Sequence, residues 1–174
     1  MKKHMILFLV GRDRPGIVDD VSSLLFKAGA NIEDSRMAVM GGRFSITALF
    51  SCAEGALQGI RSDLEELKAM GFETSLHQAD DPSTVPARSE LPLNMELTAM
   101  DHPGIVQRVV RILRRHRVNI RSMNTEVSSA PLSGAPMFAL NLEAGVPVET
   151  PMAEVKEEIS VLASDMNLEL RFRP

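Results

Sequence analysis

The chain repeats itself, and that constrains its fold more than any other feature. Asp13-Arg14-Pro15-Gly16-Ile17-Val18 returns as Asp101-His102-Pro103-Gly104-Ile105-Val106, 88 residues later. At the same offset Val21, Leu24 and Leu25 meet Val109, Ile112 and Leu113, and Asn31-Ile32 meets Asn119-Ile120. Phe44-Ser45-Ile46-Thr47-Ala48 then resembles Phe138-Ala139-Leu140-Asn141-Leu142 at an offset of 94. The six-residue slip falls on one polar segment: Met40 to Arg43 in the first copy, and the longer Ser128 to Pro136 in the second. A hairpin tip absorbs such an insertion without disturbing a core.

Within each copy the apolar residues set the elements. Met5, Leu7 and Leu9 alternate, as do Leu93, Met95 and Leu97, which predicts strands with one inward face. Asp-x-Pro-Gly follows as turn and helix start together: Asp13 or Asp101 as the cap, proline in the first turn. Ile17, Val18, Val21, Leu24 and Leu25 recur with helical spacing, and Gly29 ends that helix. Asn31–Met40 and Asn119–Ser128 read as strands with broken alternation, hence a bulge or an edge. Phe44, Ile46, Ala48 and Phe50 make a third strand, with Gly41-Gly42 in the hairpin before it. Leu57, Ile60, Leu64 and Leu67 share a helix face, matched by Val155, Ile159 and Leu162. Phe72–Leu76 and Leu168–Phe172 close the copies. The order strand-helix-strand-strand-helix-strand, twice, predicts an α+β chain of two split βαβ units, each an antiparallel four-stranded sheet with both helices on one face. The expected domains are 1–78 and 92–174, joined by a polar, proline-bearing linker over 79–91. The bare sheet face of each unit calls for cover by the sister copy or a second chain, so a homodimer is expected.

Composition narrows the function. Cys52 is the only cysteine, which excludes an internal disulfide and any two-thiolate site within one chain. No apolar run is long enough to span a membrane. After Lys2 and Lys3 the apolar stretch is too short for a secretory signal, so the cytoplasm is the expected compartment. The net charge of −4 and 4% aromatics count against direct binding of nucleic acid, which wants basic excess and stacking rings.

The turn after the first strand is the leading candidate site. Gly16 and Gly104 admit a ligand close to the backbone, and the amides at the helix start favour a carboxylate. Asp13 and Asp101 can accept from an ammonium, while Asn31 and Asn119 offer both donor and acceptor. That mixture suits a zwitterionic amino acid. The same residues also serve as an ordinary cap, turn and corner.

Elsewhere the chemistry is sparse. His4, His77, His102 and His116 lack metal-ligand spacing, and no nucleophile with a base can be read, so no catalytic residue, metal or cofactor is expected. Cys52 reads as a buried, inert thiol. Glu65-Glu66 and Glu157-Glu158 read as solvated faces. Arg108, Arg111, Arg114, Arg115, Arg117 and Arg121 form one basic patch, balanced by the acidic second helix. The methionines, among them Met123, Met137, Met152 and Met166, read as adaptable core or interface filler.

Taken together, Asp13-Arg14-Pro15-Gly16-Ile17-Val18 and Gly29-Ala30-Asn31-Ile32-Glu33-Asp34-Ser35-Arg36 resemble the ACT domain, a small amino-acid-sensing module. The duplicated layout resembles the tandem-ACT regulators of the glycine cleavage system. The resemblance implies a ferredoxin-like βαββαβ fold, pairing of ACT units, and amino-acid binding at an interface near the first strand-helix loop. It carries over onto Asp13, Pro15, Gly16, Ile17 and Asn31, and onto Asp101, Pro103, Gly104, Ile105 and Asn119. The second copy departs at Arg121-Ser122-Met123-Asn124. Formyltetrahydrofolate deformylases open with the same motif, but here a second ACT copy stands where their hydrolase domain would be, so that activity is disfavoured. The expectation is a non-catalytic regulator that senses glycine or serine and acts through a transcription-factor partner. The alternative is a ligand-free pairing module acting on an enzyme of amino-acid metabolism.

Overall fold

The computed structural model describes residues 1–131 and 133–174; Leu132, in the longer hairpin, lies outside the described residues. The chain divides into two units, Met1–Pro86 and Ala87–Pro174. Unit 1 runs β1 (Lys2–Arg12), α1 (Ile17–Lys27), β2 (Asn31–Met40), β3 (Arg43–Ala53), α2 (Leu57–Ala69) and β4 (Glu73–Ala79). Unit 2 runs β5 (Glu90–Met100), α3 (Ile105–Arg115), β6 (Asn119–Ser129), β7 (Pro136–Pro147), α4 (Met152–Asp165) and β8 (Glu169–Arg173). The sheets are ordered β2-β3-β1-β4 and β6-β7-β5-β8, with antiparallel pairing between all neighbours. This is the ferredoxin-like βαββαβ fold, twice.

The alternation works as the sequence predicts. Met5, Leu7 and Leu9 of β1 and Ile46, Ala48 and Phe50 of β3 are buried against Ile17, Val21 and Leu25 of α1 and Ile60 and Leu64 of α2. Leu93, Met95 and Leu97 do the same in unit 2, under Ile105, Val109, Leu113, Val155 and Ile159. Each of these side chains larger than alanine contributes roughly 1.5–3 kcal/mol by leaving water. Cys52 is buried in the first core, and burial pushes its thiol pKa up, away from reactivity.

Both second strands carry the bulge that their broken alternation implies, between Ile32 and Asp34 and between Ile120 and Ser122. Gly41 and Gly42 both have positive φ in the β2-β3 hairpin. Gly29 ends α1 in the left-handed region, and Arg117 does that work after α3, with Val118 N–H donating to the Leu113 carbonyl at 2.9 Å. The strands reach further into the joining segment than its polarity suggests. β4 continues to Ala79, and β5 already begins at Glu90, because Glu90 and Leu91 pair with Pro147 and Val146.

The two open sheet faces differ. The centre of unit 1's face is apolar, with Ile6, Phe8 and Val10 beside Leu49, and Phe8 meets His77 edge-on at 5.6 Å. In unit 2 the same face carries Asn94, Glu96 and Thr98 beside Asn141 and Glu143, with ion pairs Arg173–Glu96 and Arg171–Glu169. An antiparallel sheet with such a face is satisfied by water alone. The need for cover therefore applies to unit 1's pattern, not to both.

Candidate functional site

The turn after β1 is built by glycine. Gly16 has φ 90° and caps α1, and Gly104 has φ 99° and caps α3; neither cap has a side-chain hydrogen bond. The expected capping by Asp13 and Asp101 is therefore corrected, and Pro15 and Pro103 stand just before the cap rather than in the first helical turn. The glycine conformation turns the chain into the helix without a side-chain acceptor. The first helical bonds are Asp20 N–H to the Gly16 carbonyl at 2.9 Å and Arg108 N–H to the Gly104 carbonyl at 3.0 Å. The amides of Ile17, Val18 and Asp19, and of Ile105, Val106 and Gln107, consequently have no partner within their helices. Asp13 and Asp101 are tied through their own N–H groups, to the carbonyls of Gly42 (3.1 Å) and Pro136 (2.9 Å). Ile17 and Ile105 are buried, each 2% exposed, and anchor the turn to the core.

Asn31 and Asn119 are not at this end. Asn31 is level with Ser51 and, through it, His4, whereas Arg12 is level with Arg43 and Met40. The eleven residues of α1 lie between the turn and Asn31, so Asn31 stands about 16 Å or more, a full helix length, from the turn. Asn119, level with Gly145 near the start of β5, is displaced in the same way. Within one unit aspartate, glycine and asparagine are therefore not brought together. Asn31 instead lines a cavity of about 440 Å³ with Ser22, Ser23 and Phe26.

In unit 2 the turn opens into a groove of about 590 Å³ along α3. Gly104, Ile105, Val106, Val110 and Phe138 give it an apolar side, and His102, Gln107, Arg111 and Arg114 a polar one. Two guanidiniums beside free helix amides suit a carboxylate, and the apolar wall suits a small aliphatic group. The six-arginine patch is also divided. Arg117 lies past the end of α3, and Arg121 sits at the β6 bulge and pairs with Glu90 at 3.0 Å.

Arg14 is a residue the spacing did not single out. It bonds Asp20 at 2.6 Å, donates to the Pro15 carbonyl at 3.2 Å, and its guanidinium lies 5.5 Å from the Phe72 ring centroid. It braces the turn that Asp13 was expected to brace; the available signal was a cation six residues before a helix aspartate.

The bulges carry a second unnoticed feature. Lys2 meets Glu33 at 3.2 Å, and at the repeat-equivalent positions Glu90 meets Arg121 at 3.0 Å, with the charges exchanged. Hydrogen bonding by the Ser51 hydroxyl, helped by Lys2 and His4, holds the Glu33 carboxyl below its ordinary 4.5 despite desolvation. A lowered folded pKa adds stability that is complete above the unfolded value and disappears as the pH falls through the folded one. Glu33→Gln is accordingly expected to lower the unfolding midpoint of unit 1 at neutral pH. The gap from the native chain should close in titrations below about pH 4.5. A gap that persisted at acid pH would remove this role.

Comparison with known proteins agrees with the geometry. The family model described as the ACT domain matches residues 3–77. The glycine cleavage system transcriptional repressor of Escherichia coli K12 is 26% identical over 166 residues, covering 94% of this chain and 86% of the repressor. A UPF0237 protein of Methanopyrus kandleri is 35% identical over 68 residues, covering 39% of this chain and 74% of that protein. The crystal structure of an unknown protein from Galdieria sulphuraria superposes with a TM-score of 0.83 at 28% identity, covering 99% of this chain and 98% of that one.

Proposed function

Because the chain belongs to the ACT-domain family and carries the fold twice, we propose that it is a non-catalytic regulator that senses a small amino acid. The observation that carries this reading is the glycine turn with free helix amides, which in unit 2 opens on the groove of Arg111, Arg114 and Phe138. The ligand's carboxylate lies on the amides after Gly16 or Gly104, and its ammonium on Asp13 or Asp101. Asn31 or Asn119 takes part only when supplied by a second copy, since within one unit it is too far away. Glycine and serine are the ligands this reading expects, in keeping with the repressor that the chain resembles. Binding then shifts an equilibrium between packings, which requires that one packing bind better than the other. The partner that reads the change is a transcription factor of glycine metabolism, in keeping with the acidic chain and the repressor it resembles. The working form is a homodimer in the cytoplasm.

A thermal-shift screen of the twenty amino acids tests the reading. At ten times Kd a bound ligand adds about 1.4 kcal/mol, enough to raise the midpoint of a unit this size by several degrees. No stabilisation by any amino acid at millimolar concentration would contradict sensing.

The distance between Asn31 and the turn favours one other reading, a ligand-free pairing module acting on an enzyme of amino-acid metabolism. On that reading Asp13→Ala and Gly16→Ala cost stability alone, about 1–2 kcal/mol for a β-carbon forced into the left-handed region at Gly16. Loss of a ligand response with the fold intact would eliminate it.

A further inference from the structure

The outer face of α3 and α4 carries two parallel stripes of opposite charge. Arg108, Arg111 and Arg115 line one wall of a groove of about 730 Å³, and Glu154, Glu157, Glu158 and Asp165 line the other. Ile112, Leu162 and Val161 supply its apolar part, and Val161 is 55% exposed. Among the described residues the two walls share one arginine-carboxylate pair, Arg115–Glu158 at 2.7 Å. The helices run antiparallel, since Thr150, just before α4, bonds the His116 carbonyl just after α3 at 3.4 Å. Counting seven residues along each helix from the Arg115–Glu158 pair, about 10 Å, brings Arg108 level with Asp165.

From this we infer that the α3/α4 face is a self-association surface, on which a second copy of the chain docks about a two-fold axis parallel to the helices. The charges select that axis. A two-fold along the helices lays each α3 on the partner's α4 at the same level, so that Arg108 meets Asp165 and Arg115 meets Glu157, twice over. A two-fold across the helices lays α3 on α3 and sets arginines against arginines. A face striped in this way is self-complementary, as an isologous interface must be. Its extent also sets its strength. Two helices about 10 Å wide and α4 about 21 Å long offer roughly 400 Å² a side, half of the usual ~800 Å². The dimer is therefore weak and salt-sensitive. The inference stands on charge and geometry and does not depend on amino-acid sensing.

Sedimentation velocity over a concentration series, at low ionic strength and at about 1 M salt, tests it. The native chain is expected to associate at low salt and dissociate at high salt. R108E/R115E and E157R/D165R are each expected to lose this salt-sensitive association step, because each sets like charges face to face. Mixed in equal amounts they should restore the dimer, since every α3-on-α4 contact is again opposite in charge. Circular dichroism confirms that the variants are folded; R108E with D165R as single changes serve if a double change unfolds. A native chain without a salt-sensitive association step, a step indifferent to charge reversal, or a mixture that does not regain it would each overturn the inference. So would a monomer whose face captures a polyglutamate probe instead.

Discussion

Gly11→Ala is expected to destabilise unit 1 by about 3 kcal/mol, at the upper end of what overpacking costs. A β-carbon at Gly11 would overlap the Phe72 ring, which is only 6% exposed and has no open space to enter. Moving the ring also removes the surface on which Arg14 lies, and with it part of the brace on the Gly16 turn. For a unit of this size the change lowers the melting midpoint by roughly 12–24 °C. Far-UV circular dichroism on heating reads it directly. Phe72→Leu in the same chain should return part of the loss, because the two changes share one volume and do not add. A Gly11→Ala chain that melts with the native one would mean the ring is not held where the structure places it.

The mirror-image test lies in unit 2. A β-carbon at Gly145 would overlap the Glu90 side chain, which is 8% exposed and pairs with Arg121 at 3.0 Å. Gly145→Ala must push this carboxylate out, leaving the β6 bulge without its counter-charge. The expected loss is about 1 kcal/mol, since the overlapping atoms are the far end of a flexible side chain and Arg121 is half exposed. Glu90→Ala alone should cost less, and in the Gly145→Ala chain it should be close to neutral or restoring, because the clashing atoms are gone. Denaturant midpoints of the four chains decide the matter. Strictly additive losses would show that Gly145 and Glu90 do not compete for one space.

Most of the fold was legible because the repeat supplied each apolar pattern twice. Met5, Leu7 and Leu9 and their counterparts Leu93, Met95 and Leu97 vouch for one another, and the broken alternation after Asn31 and Asn119 marked real bulges. The site was half legible. Gly16 and Gly104 stood out, and both take the left-handed backbone that a turn needs. Asn31 lies away from the turn of its own unit for a topological reason. A strand-helix-strand crossover returns the chain to the end where it began, so the start of β2 lies beside the start of β1 and away from its exit turn. Arg14 and the exchanged pair Lys2–Glu33 and Glu90–Arg121 were not legible from either copy alone. They depend on which side chains cross between strands, and only the register fixes that.

The two turns are not equivalent, and that bears on regulation. In unit 1 the turn is locked by Arg14 on Asp20 and Phe72, whereas in unit 2 His102 replaces Arg14 and the groove beyond it is lined by Arg111 and Arg114. A carboxylate-bearing ligand therefore finds more positive charge in unit 2. The most direct measurement is a crystal structure of the chain soaked in mixed amino acids. Density is expected beside Gly104, and beside Gly16 if both copies bind, with a carboxylate on the helix amides. Bare turns in a crystal whose protein is stabilised by an amino acid in solution would contradict binding there.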